Sequence, residues 1–249
     1  MDREFSDQGI VLAVREFRHS DAIVTFLSPR YGIKRCFAFG GKKSRRRFPG
    51  CLEELNHVIF KVASPRSRNY LYLQEGILLD RFANIHLLPS VLGMARNCQK
   101  FIESVLFHQS SPGAFEIFLN LLKVLNSYSP TNSPHLPLFF RARIAREMGW
   151  FPEIDSCNGC GRLLKAEAYV RFYPTSGHLY CGRCGEKGEV TLLSPRVYHA
   201  LCEIFTAFPE RWLGWGISPE EENLLAGALD IFIKTCLKVI WDRGRFVHI

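Results

Sequence analysis

Two pairs of cysteines form the clearest chemical pattern in this sequence. Each pair encloses two residues and twenty residues separate the pairs, so the spacing is Cys-x2-Cys-x20-Cys-x2-Cys. Two such turns can place four thiolates around one Zn²⁺ as a tetrahedron. Because four protein ligands leave no open coordination position, the predicted site is structural and has no place for a catalytic water. The predicted zinc ligands are Cys157, Cys160, Cys181 and Cys184.

The other cysteines bear on the alternatives to a metal site, which are two disulfides, four free thiols or a redox-active pair. The sequence has nine cysteines, and five of them stand singly among apolar residues, as buried core thiols do. An odd number with scattered singles is typical of a reducing compartment and argues against disulfides. Two matched pairs also fit a metal better than a redox function.

The sequence contains no candidate membrane helix, which would need about 20 consecutive apolar residues. Its N-terminus, MDREFSDQGIVL, is charged and lacks the apolar run of a signal peptide. We therefore expect a cytoplasmic protein without a membrane partner.

Lysines and arginines concentrate after the third predicted strand, and no acid falls between Lys34 and Pro49. The formal net charge of +8 suggests an anionic partner, either nucleic acid, an acidic protein tail or a membrane surface. On a barrel loop these side chains would neutralise phosphates, whereas the alternative is a solvated, disordered loop. The predicted nucleic-acid-binding residues are Arg15, Arg18, Lys34, Arg35, Lys42, Lys43, Arg45, Arg46, Arg47 and Arg66.

Aromatic residues near these cations could provide flat surfaces for bases. The candidates are Phe17, Tyr31, Phe37, Phe39 and Tyr70. We expect half or more of them to face the barrel core. Since no residue reads base edges specifically, we expect weak sequence preference.

The elements that must position these residues begin with a β-rich segment. Short apolar runs separated by close turns predict five strands in about 80 residues, which favours a five-stranded OB-fold barrel. The predicted strands are 9–18, 22–27, 33–39, 55–62 and 69–79.

The sequence becomes helical after Asp80. Apolar residues at helical spacing predict three helices, a small hairpin lies between the cysteine pairs, and Ser-Pro signals start two more helices, the last ending near Trp241. The predicted class is α+β, with an OB-fold β-barrel at 1–80 and an α-helical domain at 81–249. That second domain carries a four-cysteine zinc-binding insert at about 155–190. The three predicted helices are 87–107, 114–125 and 138–148.

Motifs of common enzymes are missing from the sequence. There is no GxxxxGK[ST] or GxGxxG phosphate loop, and no histidine lies in the His-x-Glu motif of a zinc deaminase. We therefore predict a protein that is not an enzyme and has no catalytic residue. A metal-dependent hydrolase with an unrecognised site stays as an alternative.

Several motifs stand along nearly the whole sequence. The N-terminal motifs are Gly9-Ile-Val-Leu, Arg15-Glu-Phe-Arg-His-Ser-Asp21 and Ala38-Phe-Gly-Gly-Lys-Lys-Ser44. The later ones are Gly149-Trp-Phe-Pro-Glu-Ile before the first cysteine pair and Gly177-x-x-x-Cys181 at the second. In the order and spacing of these motifs, the sequence resembles the bacterial RecO recombination-mediator family. The sequence departs from the family's usual Ala-Lys-Gly segment, where Phe39 replaces the lysine, and lacks an acid common just before Asp21.

This resemblance implies an OB-fold, a helical domain with a zinc module, and a role in DNA repair without an active site. Such proteins bind single- and double-stranded DNA, anneal complementary strands and pair with a RecR partner. Together they help load recombinase onto DNA coated by single-strand-binding protein, whose acidic tail some members contact through the helical domain. The resemblance thus implies a cytoplasmic, nucleoid-associated protein. A second hypothesis is an RNA-binding or ribosome-associated module with an OB-fold and a zinc site.

Overall fold

The computed structural model describes residues 4–65, 70–106, 109–127 and 133–248. The chain divides into two compact units, Met1–Tyr128 and Ser129–Ile249. The boundary predicted at residue 80 coincides with the end of the last barrel strand, whereas the first compact unit continues through two helices. A separate domain ending at residue 80 therefore stays a prediction.

A five-stranded barrel forms the first part of the first unit, as the sequence predicts. The order around it is β1-β2-β3-β5-β4, and β4 pairs back with β1. All neighbours are antiparallel except β3 and β5, which are parallel and share only two residue pairs. This is the strand order of an OB-fold. The strands are β1 (Glu4–Phe17), β2 (Asp21–Ser28), β3 (Gly32–Ala38), β4 (His57–Ala63) and β5 (Leu71–Asp80).

The longest strand, β1, closes the barrel because its two halves have different partners. Residues 4–10 pair with β4, and residues 10–17 pair with β2. The register shifts between Val11 and Ala13, and a bulge of this kind bends a strand and increases its twist. Inward residues such as Val24, Cys36 and Phe60 are fully buried and fill the barrel.

Two helices complete the described part of the first unit: α1 (Pro89–Val105) and α2 (Pro112–Asn126). Gln99 on α1 is 1% exposed, and its side-chain amide donates a hydrogen bond to the carbonyl of Leu12 on β1. Since an unpaired carbonyl would be costly in this buried position, the bond fixes α1 beside the barrel.

The second unit combines three helices with short strands. A three-stranded sheet in the order β7-β6-β8 lies between α3 and α4 in sequence. Ser218 forms a capping box with Glu221 at the start of the last helix, as its sequence signals predict. The elements are α3 (Leu136–Glu147), β6 (Val170–Tyr173), β7 (His178–Tyr180), β8 (Thr191–Leu193), α4 (Pro195–Thr206), α5 (Pro219–Leu237), β9 (Val239–Asp242) and β10 (Arg245–His248).

The prediction that the last helix ends near Trp241 is wrong, because α5 ends at Leu237. Lys238 adopts the left-handed conformation (φ 49°), which ends the helix. The following Val-Ile-Trp sequence favours a strand, and a hairpin of β9 and β10 forms instead. Within the described residues, none of the helices has the length and apolarity to cross a membrane.

Gly177 shows how the hairpin between the cysteine pairs packs against α5. It has φ +78°, and a Cβ atom there would lie 2.7 Å from the ring of Phe232. The turn of β6 and β7 therefore approaches α5 as closely as a glycine allows.

We expect Gly177→Ala to destabilise the second unit in two ways. The left-handed backbone should cost about 1 to 2 kcal/mol, and the collision with Phe232 should cost about 1 to 3 kcal/mol more. The free energy of unfolding from urea titrations, followed by circular dichroism, measures the sum.

Gly214→Ala is the matched control, since Gly214 has φ +81° but no atom within 4 Å of a built Cβ. This variant should lose only the part of the free energy of unfolding that the left-handed backbone costs. Equal losses of stability in the two variants would contradict the close packing of Gly177 on α5.

Candidate metal centre and nucleic-acid surface

The four cysteines of the two pairs lie together in the second unit. Their sulfur atoms all lie within 4.8 Å of one another, and the Sγ atoms of Cys160 and Cys181 are 3.9 Å apart. Four thiolates about 2.3 Å from a zinc ion would be about 3.8 Å from one another, so this group has the size of a tetrahedral site. All four cysteines are unbridged. The group can therefore bind a metal ion.

Asn158 joins the two cysteine turns through the strand that leads from one to the other. Its backbone N–H donates to the carbonyl of Leu179 (2.9 Å), and its side-chain carbonyl accepts from the N–H of Leu179 (2.8 Å). The first turn is closed by the N–H of Gly161, which donates to the carbonyl of Cys157 (2.9 Å). These bonds bring together two turns that are distant in sequence.

The local hydrogen bonds favour a thiolate at Cys157. Its Sγ atom accepts from the N–H groups of Gly159 and Cys181, each at 3.4 Å. Burial raises the pKa of this thiol, but the N–H donors outweigh burial and lower its pKa to about 6. Hydrogen bonds with Cys160 and Cys181 raise the pKa of Cys184 to about 12. Cys157 thus favours the thiolate form, whereas Cys184 keeps a proton that a bound metal cation would displace.

Glu186 supports the second cysteine turn with three hydrogen bonds. Its carboxylate accepts from the hydroxyls of Ser176 and Tyr180 and lies 2.9 Å from Nδ1 of His178. Burial alone would raise the pKa of Glu186, but these partners lower it. The carboxylate therefore fixes the β6–β7 hairpin to the segment that follows Cys184.

The basic loop, residues 39–56, connects β3 to β4 and is fixed at its base. The carboxylate of Asp21 accepts from the N–H of Gly40 (2.7 Å), and Lys42 forms an ion pair with Glu16 that lowers the pKa of this acid. Arg47 donates to the carbonyl of Phe39. The base of the loop is therefore ordered by contacts with the barrel.

The outer part of this loop presents unpaired positive charge. In the described part of the chain, Lys43, Arg45 and Arg46 are exposed and have no ion-pair partner. Lys43 and Arg45 line a cavity of about 690 Å³ with Lys42. Of the ten predicted nucleic-acid-binding residues, five lie in this loop: Lys42, Lys43, Arg45, Arg46 and Arg47.

Three of the remaining candidates lie on strands rather than in the loop. Arg15 on β1 and Arg35 on β3 are exposed and line a second cavity of about 510 Å³. Lys34 neighbours Arg35 on β3.

Arg18 follows β1, and its guanidinium lies 5.3 Å from the ring centroid of Phe17. Arg66 lies outside the described residues.

The expectation that half or more of the five candidate aromatics face the barrel core is wrong. None of them is buried, and on β3 the inward positions beside Phe37 carry the small residues Cys36 and Ala38. Tyr31 packs against Phe5, with ring centroids 4.1 Å apart. The other four contact one another on the outer surface, and these are Phe17, Phe37, Phe39 and Tyr70.

Sequence reasoning missed Tyr72 among the exposed aromatic rings and Lys100 in the second cavity. Tyr72 on β5 is the register partner of Phe37 and contacts Phe39. Its alternation with Tyr70 was a usable signal, since residues two apart on a strand share a face. Lys100 lies on α1 and lines the same cavity as Arg15. No local pattern marks it, because helix packing brings it there.

These features define a class: an OB-fold protein with a basic barrel loop and a helical unit that contains a four-cysteine metal-binding group. The family model described as "Recombination protein O N terminal" matches residues 1–82, and "Recombination protein O C terminal" matches residues 100–232. The chain therefore belongs to the RecO family.

Full-length relatives agree with this assignment. The DNA repair protein RecO of Oleidesulfovibrio alaskensis is 35% identical over 99% of this chain and 100% of its own length. Those of Solidesulfovibrio magneticus and Nitratidesulfovibrio vulgaris are 36% and 37% identical, each over 98% of this chain and, respectively, 99% and 98% of their own lengths. The similarity thus extends over both compact units of the chain.

Proposed function

We propose that this protein acts in DNA repair and homologous recombination as a mediator without an active site of its own. It binds single- and double-stranded DNA and promotes annealing. With a RecR-type partner, it helps load recombinase onto DNA coated by single-strand-binding protein. The observation that carries the proposal is the exposed, unpaired positive charge of the basic loop on an OB-fold barrel of this family.

The basic loop would contact single- and double-stranded DNA in the same way, through phosphates. Phosphates are common to single strands and duplexes, and cations that neutralise them release condensed counterions. Lys43, Arg45 and Arg46 are available for this role because no carboxylate in the described residues pairs with them. Binding of this kind is strong at low salt and nearly independent of sequence.

We expect the double variant Arg45→Ala, Arg46→Ala to weaken DNA binding and its salt dependence. Each lost phosphate contact should reduce the slope of log K against log salt by about 0.7 for a single strand and about 0.9 for a duplex. Fluorescence anisotropy over a series of salt concentrations measures both quantities. Arg47 stays unchanged, since it holds the loop to Phe39.

The matched control is Lys123→Ala, Lys234→Ala, which removes the same formal charge outside the basic loop. Lys123 lies on α2, and Lys234 lies on α5, where it pairs with Asp230. This control should keep the wild-type slope. If both double variants lost affinity equally, overall charge rather than the basic loop would explain the binding.

The RNA-binding alternative predicts a different preference. Competition between single-stranded DNA and RNA of one sequence separates the two functions. The proposed function requires that DNA compete at least as well as RNA, and strong preference for RNA would exclude it.

We further propose that the four-cysteine group holds a structural Zn²⁺. Four sulfur donors and a tetrahedral size suit zinc, and all four positions would be occupied by protein. Cys157, Cys160, Cys181 and Cys184 would then hold the two turns together and take no part in catalysis. Because four thiolates on Zn²⁺ carry a charge of about −2, the metal would make the chain less positive than its formal +8.

We expect Cys157→Ser to abolish stoichiometric zinc binding and destabilise the second unit, since three thiolates hold zinc less tightly than four. Elemental analysis of protein purified with a thiol reductant should find about one zinc per chain in the wild type. Cys236→Ser is the control, because Cys236 is exposed on α5 and outside the group. Retention of zinc in Cys157→Ser, or no metal in the wild type, would contradict this site.

Charge also supports the protein partners in the proposal. A chain with a formal net charge of +8 attracts acidic segments, including the acidic tail of single-strand-binding protein. The RecR-type partner and the indirect link to recombinase rest on family membership.

We expect the protein to bind full-length single-strand-binding protein but to bind a form without its acidic tail at least about tenfold more weakly. Pull-downs at two salt concentrations measure this, and the RecR-type protein is tested in parallel. Equal capture of the two forms would remove the acidic tail as the binding site.

A further inference from the structure

The start of the basic loop is fixed to the connection between β1 and β2. The carboxylate of Asp21 accepts a hydrogen bond from the N–H of Gly40 at 2.7 Å. Two residues further along the loop, the N–H of Lys42 donates to the carbonyl of Ser20 at 3.1 Å. Ser20 lies in the turn after β1, and Asp21 is the first residue of β2. Two consecutive residues therefore form a first anchor for the loop.

Arg47 forms a second anchor further along the loop. Its guanidinium donates to the carbonyl of Phe39, which ties this part of the loop to the end of β3. Its own carbonyl accepts from the N–H of Gly76 on β5 at 2.8 Å. The unpaired cations of the loop lie between the two anchors: Lys43, Arg45 and Arg46. The position of these cations therefore depends on both anchors.

The backbone at the first anchor depends on a pair of glycines. Gly40 has φ +62°, in the left-handed region that glycine adopts more readily than other residues. A Cβ atom on Gly41 would lie 2.9 Å from side-chain atoms of both Ala38 and Leu52. Two adjacent glycines have wide conformational freedom unless a partner fixes them. The bond from Gly40 to Asp21 therefore restricts the direction in which the loop leaves β3.

The charge of Asp21 strengthens this anchor but opposes an anionic ligand. A hydrogen bond to an ionised carboxylate is roughly twice as strong as one between neutral groups. In the described residues, no lysine or arginine forms an ion pair with Asp21. By charge alone, an unpaired acid beside a phosphate-binding loop would weaken the binding. A role in holding the loop explains why an acid stands there.

We propose that Asp21 is a positioning residue for DNA binding, because its carboxylate fixes Gly40 and thereby orders the unpaired cations of the basic loop. This inference rests on the proposed function, since it takes DNA as the ligand of the loop. It gives one shared role to two motifs that are separate in sequence. The first motif, Arg15–Asp21, supplies the anchor, and the second, Ala38–Ser44, is the segment that is anchored.

The anchor acts on affinity by ordering the loop before DNA arrives. Groups that are already ordered lose less conformational freedom on binding, so a fixed loop binds more tightly than a free one with the same cations. If only a fraction of the molecules has the ordered loop, the apparent affinity falls by that fraction. Asp21 therefore strengthens binding even though its own charge repels phosphate.

We expect Asp21→Ala to weaken DNA binding although it makes the chain more positive. If the ordered loop falls to between about a third and a tenth of the molecules, the affinity falls by about threefold to tenfold. The slope of log K against log salt should stay at the wild-type value, because every cation is still present. Asp21→Asn keeps an oxygen acceptor for Gly40 and should restore most of the affinity. Fluorescence anisotropy over a series of salt concentrations measures both quantities.

Glu16→Ala is the matched control, since it also removes one negative charge from beside the basic loop. Glu16 is exposed and forms an ion pair with Lys42, and exposed pairs contribute little to stability. Its loss frees Lys42 for phosphate, so the affinity should rise by about twofold to fivefold. The single-strand salt slope should rise by up to about 0.7. Opposite effects of the two variants would separate positioning from simple charge.

Limited digestion with trypsin measures the order of the loop without DNA. Trypsin cleaves after lysine and arginine, and residues 42–47 include five of them. Cleavage in this segment, identified by fragment mass, should be at least about threefold faster in Asp21→Ala, because a loop that opens more often is cleaved more often. Asp21→Asn should be cleaved at nearly the wild-type rate. Cleavage after Lys100 and Lys123 on the helices should be unchanged in both variants.

Two results would overturn the inference. One is an affinity of Asp21→Ala that equals or exceeds that of the wild type, and the other is faster cleavage throughout the first unit, which would make Asp21 a support of the fold. If either occurred while the variant Arg45→Ala, Arg46→Ala still lost affinity, the proposed function would stand and the positioning role alone would fail. If the wild-type protein bound no DNA at any salt concentration, the proposed function itself would fail, and digestion would still show whether Asp21 orders the loop.

Discussion

The first unit depends on the way β1 changes partners along its length. One half of the strand pairs with β4 and the other half with β2, and the register shift between Val11 and Ala13 allows the change. Closure fixes which side chains face outward, because neighbouring residues on a strand point to opposite faces. Arg15 and Phe17 face outward in register with β2, and β2 in turn sets the register of β3. One pairing constraint therefore aligns the cations and aromatic rings of β1 and β3.

The second unit depends on the contacts around its small three-stranded sheet. Its three-stranded sheet consists of strands of three or four residues, which need packing against other elements to be stable. The link from Asn158 to Leu179 brings the two cysteine turns together, and Gly177 allows the hairpin to approach Phe232 of α5. The hairpin gains stability from its surroundings as well as from its own pairing. A metal at the four sulfurs would add to this stabilisation, because metal binding is linked to folding.

Local patterns predicted most elements of this chain, although not the hairpin of β9 and β10, and they did not predict which side chains meet. The five strands and the helix starts at Ser194 and Ser218 are confirmed, since each is encoded within a few neighbouring residues. The grouping of the four cysteines is also confirmed. The aromatic residues were assigned partly to the core because hydrophobicity alone does not reveal the facing direction of a strand. On β3 the small residues Cys36 and Ala38 face inward, so Phe37 between them faces outward. This assignment can be made only once the barrel is known. The same limit applies to Lys100, which reaches Arg15 through helix packing.

In the proposed mediator, the basic loop would hold DNA through its phosphates and not through its bases. It would therefore leave the pairing edges of the bases free, which suits both the reactant and the product of annealing. Because phosphate neutralisation releases condensed counterions, the same contacts would weaken as the salt concentration rises.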